Sequence, residues 1–148
     1  MTKAGKAGGV RRRPLRKLAL DEALIALFIG AMNANDHVAR EELARAHHLI
    51  WSTRRFRRKS GETVGRLIDR MKELVEDQAP EAVLESAAKA VPPRLRPSAF
   101  AVVADLLLAD GKIDSRERRF LDRLAVNFRI PARMATNTVD VMLVKNLL

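Results

Sequence analysis

Apolar residues in this chain recur at helical spacing and nowhere alternate. Between positions 64 and 75, Val64, Leu67, Ile68, Met71, Leu74 and Val75 fall at i, i+3, i+4 and i+7, one stripe of an amphipathic helix. The opposite face carries Arg66, Asp69, Arg70, Lys72, Glu73 and Glu76, a solvated surface. Alternating β-branched runs and hairpin turns are missing, so strands have no sequence support. The pattern predicts an all-α protein: a compact bundle of about seven helices.

Helices are expected from Pro14 to near Ala34 and from Arg40 to Trp51, the latter reaching as far as Phe56 at most. Others follow over the stripe Val64–Val75, from Pro80 with a stripe reaching Val91, and over 98–109, 115–128 and 132–147. Pro131 suits the first turn of the last one. Pro92, Pro93 and Pro97 separate two halves, 20–91 and 97–148, related by a weak repeat at an offset of 75 residues that pairs Ala34 with Ala109, Glu42 with Glu117 and Leu49 with Leu124. Each half reads as a helix-loop-helix unit that cannot bury its own apolar face, so the halves should share one core. Residues 14–148 form a single domain, and the Lys-, Gly-, Ala- and Arg-rich segment 1–13 is expected to be a disordered basic arm.

With 148 residues the chain can bury a core without staples, and it has no cysteine, which removes thiolate metal sites and thiol catalysis. Its formal charge of +10 is local. Residues 1–20 contribute +7 and Arg54, Arg55, Arg57, Arg58 and Lys59 contribute +5, leaving a near-neutral body with sixteen basic and eighteen acidic residues. These clusters, with Arg11, Arg12 and Arg13 in the first, are candidates for binding anionic membrane or, less favourably, nucleic acid, with Phe56 and Trp51 available to stack a base. The bland alternative is a solvated tail and a basic helix end. No segment is long enough to span a membrane. The Arg11–Arg13 run before Leu24–Met32 imitates a signal peptide, but Asp21 and Glu22 interrupt it. A cytoplasmic protein is expected.

The turn Ala109-Asp110-Gly111-Lys112-Ile113-Asp114-Ser115-Arg116-Glu117 places three carboxylates within eight residues. Aligned as a calcium loop, it has the glycine and terminal glutamate of an EF-hand, but Leu106 and Leu108 stand where the first oxygen ligands belong. A looser site for Ca²⁺, Mg²⁺ or Mn²⁺, made by Asp110, Asp114 and Glu117, stays open. So does a purely structural reading: Gly111 ends one helix in the left-handed region, Asp114 and Glu117 form a capping box, and Ile113 is a hydrophobic staple. His37, His47 and His48 lack the spacing of a zinc site. Nucleophile motifs, a P-loop and a glycine fingerprint are absent, so an enzyme is not expected. The apolar stretch Leu143, Val144, Leu147 and Leu148 suits a homodimer contact or the core.

An Ala- and Leu-rich helix, then Ala-Asp-Gly-x-Ile-Asp-x-x-Glu, then another helix, resembles the tellurite-resistance TerB family over about residues 20–148. The resemblance implies a helical bundle of two related halves and a bacterial stress-response role. It also implies complexes with other tellurite-resistance proteins, peripheral to the inner membrane. Acidic loop residues would bind divalent metal: Asp110, Asp114 and Glu117, with Asp36 and Glu42 from the first copy. That copy departs from the pattern, with Asn35-Asp36 for Asp-Gly and Ala39 for the capping acid.

Overall fold

A computed structural model describes residues 15–34 and 40–148, the side chains of 40–43 excepted. Seven α-helices appear among the described residues: α1 (Leu20–Asn33), α2 (Arg40–Ser52), α3 (Gly61–Asp77), α4 (Pro80–Ala90), α5 (Arg96–Leu107), α6 (Ser115–Phe128) and α7 (Ala132–Lys145), with a 3₁₀ turn at Pro93–Leu95. No strand occurs among them.

Two helices organise the rest. The first, α1, is apolar nearly all round and packs against α3, α4 and α5. The second, α5, packs against α1, α2, α6 and α7. Helices that bury most of their circumference belong inside a bundle, and the amphipathic α3 and α6 cover them. Phe28, Phe100, Phe128, Met71 and Leu124 fill the centre.

Local chemistry explains most boundaries. Ser60 caps α3 by accepting from the Thr63 amide at 3.2 Å. Pro80 occupies the first turn of α4, where its missing N–H is harmless. Pro131 stands one place earlier than the pattern suggests, as the residue preceding α7. The first helix also starts later than expected, at Leu20. Glu22 fixes that start by reaching back to the Ala19 amide at 3.0 Å, and Ala19 has no side-chain acceptor to complete the reciprocal bond.

Arg16, assigned to the solvated basic cluster by sequence, instead forks onto Glu22. This contact, with the Ala19 amide, holds the Glu22 carboxyl down at about 2 against the usual 4.5, although burial pushes the other way. Leu18 is buried beside it, so the chain is anchored before α1 begins.

Candidate functional site

The acidic turn joins α5 to α6, and every carboxylate in it meets main chain. Asp110 Oδ1 accepts from the Lys112 amide at 3.1 Å, closing a local turn. Asp114 Oδ1 accepts from the Glu117 amide at 2.8 Å, and the Asp114 amide donates to Glu117 Oε1 at 3.2 Å. This is a complete capping box, with Glu117 buried. Gly111 takes φ +77° but is not the cap the sequence suggests: α5 stops at Leu107 with Leu108 as its C-cap, and Gly111 lies in the turn beyond, its amide donating to the Leu108 carbonyl at 2.9 Å. Ile113 packs against the core, but not as a staple: the position it would pair with is the exposed Arg118.

Each of these carboxylates therefore has a main-chain amide as a partner. Among the described residues no group of three or more His, Asp or Glu side chains is placed to hold a metal ion. Asp36 lies outside the described residues; Glu42 falls within α2, but its side chain is not described. His47 and His48 are exposed, and His47 lies against Trp51 with ring centroids 6.1 Å apart; His37 is outside the described residues.

What the turn does position is the end of α7. A Cβ on Gly111 would lie 3.4 Å from the Asn146 carbonyl oxygen, so the glycine allows close approach as well as the turn. Just before it, Asp105 is buried on α5 and accepts from Lys145 Nζ at 2.9 Å and Asn146 Nδ2 at 3.0 Å. Burial alone would raise the Asp105 carboxyl, but these two hydrogen bonds and the charges of Lys145 and Arg45 outweigh it and hold the group below its ordinary value. Arg45 of α2 reaches Asn146 Oδ1 at 3.4 Å. Side chains of α2 and α5 thus converge on the end of α7. Sequence reasoning missed Asp105, although a single acid inside the apolar run Phe100–Leu108 is the visible signal of a buried, partnered charge.

Beyond that end, α7 is poorly covered. Val139 is its only buried side chain, while Met134, Val141 and Val144 are 45%, 60% and 69% exposed. Spaced by seven and then three residues, they make one apolar stripe. The stripe borders a groove of about 590 Å³ lined by Ala101, Pro131, Asn137, Thr138 and Met142 among others.

The basic run after α2 is divided. Arg54, Arg57 and Arg58 are exposed, but Arg55 and Lys59 both bind Asp21 of α1, Lys59 at 3.2 Å. Phe56 is fully buried, so it cannot stack a base; helix α2 has ended by then, and the following turns fold the ring inward. Trp51 is half-buried against the core. Arg11, Arg12 and Arg13 lie outside the described residues.

The family model of the tellurite resistance protein TerB matches residues 21–138, from the start of α1 into α7 and across both halves. The chain belongs to the TerB family. Membership connects it with tellurite resistance, and the all-helical architecture is that of a TerB domain. No curated protein and no solved structure matches the chain. No described helix is long and apolar enough to cross a membrane.

Proposed function

We propose that this TerB-family chain is a non-catalytic component of a tellurite-resistance response that works by docking another protein onto the outer face of α7. The observation that carries this reading is the stripe Met134, Val141 and Val144, left open on a helix otherwise secured at its end. Apolar side chains aligned on one helix face, bordering a groove with polar edges, are what a partner helix covers. The acidic turn serves the docking face structurally. Its capping box fixes the α5–α6 junction, Gly111 admits Asn146, and Asp105 holds Lys145 and Asn146. No step of the proposal passes through a metal ion.

A photo-crosslinking residue at Val141, compared with one at the exposed Lys72 of α3, tests it in cells challenged with tellurite. The expected result is a discrete adduct from position 141 alone. An adduct of twice the chain mass identifies a second copy, and any other mass a different protein. Adducts from neither position, or equally from both, overturn the proposal.

A further inference from the structure

A second groove, of about 390 Å³, runs between α1, α4 and α6. Ala26, Leu27 and Gly30 of α1 with Val83 and Leu84 of α4 make an apolar lining, and Phe120 of α6 closes one side. Small residues on α1 let the ring approach: a Cβ on Gly30 would sit 3.4 Å from Phe120 Cε2. From Ala26 to Ala34 the α1 side is about 12 Å long at the helical rise.

The charged lining is strongly one-sided. Arg116, Arg119 and Arg123 of α6 stand at i, i+3 and i+7, hence on one side of that helix. Glu81 is the single acid in the lining, and Arg123 holds it at 3.1 Å across the gap between α4 and α6. The larger opening of about 700 Å³ near Arg16 and Arg70 lacks this selectivity, because Glu73, Glu76 and Asp77 share it. An apolar recess with a few cationic groups at its edge selects a ligand with an apolar body and one anionic head.

We propose that this groove binds a free single-chain amphiphilic anion of the fatty-acid class. Its tail lies along Leu27, Val83 and Leu84, and its carboxylate meets Arg119 and Arg123. On Arg123 the ligand replaces the Glu81 carboxylate with its own, so the exchange needs no proton transfer. The recess sits between helices, which suits a single chain removed from a bilayer. The site is separate from the α7 face, and either proposal can fail without the other.

Decanoate titrated into the intact chain at neutral pH, followed by methyl NMR, tests it, with decanol as the uncharged counterpart and phosphatidylglycerol vesicles as a separate arm. The expected result is saturable shifts at Ala26, Leu27, Val83 and Leu84. Arg119→Gln with Arg123→Gln should weaken decanoate about tenfold, as expected for losing charge-assisted contacts at an exposed mouth, and leave decanol unchanged. Both substitutions are on the surface, and an unchanged melt confirms the fold. The proposal is overturned by any of four results: no saturable shifts, shifts centred on Met134 and Val141, equal decanoate affinity in the variant, or binding to vesicles without binding to the monomer.

Discussion

Individual residues show best how one pattern supports two chemistries. Asp110, Asp114 and Glu117 have the spacing of an oxygen-ligand turn and equally that of a helix start, and spacing cannot separate them. The structure shows the helix-start role: Asp114 and Glu117 exchange hydrogen bonds with each other's amides at 2.8 and 3.2 Å. Asp114→Ala should therefore cost about 1 kcal/mol, as other N-cap losses do. The loss should be the same with and without millimolar Ca²⁺ in thermal melts. A wild-type melting point that rises with Ca²⁺, and a variant that does not respond, would restore the cation reading. Glu22 gives a pH prediction. Its folded value of about 2 lies below the ordinary 4.5, so its contribution is complete above 4.5 and is lost as pH falls toward 2. Urea midpoints measured across that window should fall more for wild type than for Glu22→Gln. That charge pairing was hidden in the sequence because Arg16 reads as one more cation of the basic cluster in residues 1–20.

Elements were legible wherever periodicity was long. The stripe from Val64 to Val75 is α3, the prolines bracket α4, and the Asp-Gly turn separates α5 from α6. Where the chain turns without Gly or Pro, legibility failed. After Ser52 it leaves the helix and buries Phe56, a lone apolar residue among five arginines and lysines whose inward turn no local pattern signals. The start of α1 was placed at Pro14 because a proline is a strong signal, whereas the actual start rests on the Glu22 contact with Ala19. For α7, the sequence left open whether its apolar residues complete the core, and its attachment depends on long-range contacts from Asp105. Asp105→Ala should destabilise the protein by roughly 1–3 kcal/mol, the range for losing hydrogen bonds to a charged group. Hydrogen exchange should show amides of α7 opening before those of α1. Uniform loss of protection across all helices would contradict α7 being a separately attached element.

At the scale of the whole molecule, helical class and family were readable, and the choice of working surface was not. Periodicity says that each helix has an apolar face; which faces remain uncovered depends on how α1 and α5 gather the others around them. The groove beside Phe120 and the bare stripe on α7 both arise at that level. On the proposed docking reading, the α7 face carries function and the acidic turn supports it. Tellurite tolerance, measured side by side for cells carrying Val141→Glu with Val144→Glu and cells carrying Asp110→Asn with Glu117→Gln, separates these roles. The first pair should lose tolerance while keeping its helical content, and the second should keep most of it. Tolerance retained by the α7 pair and lost by the acidic-turn pair, with both proteins folded, would contradict the account.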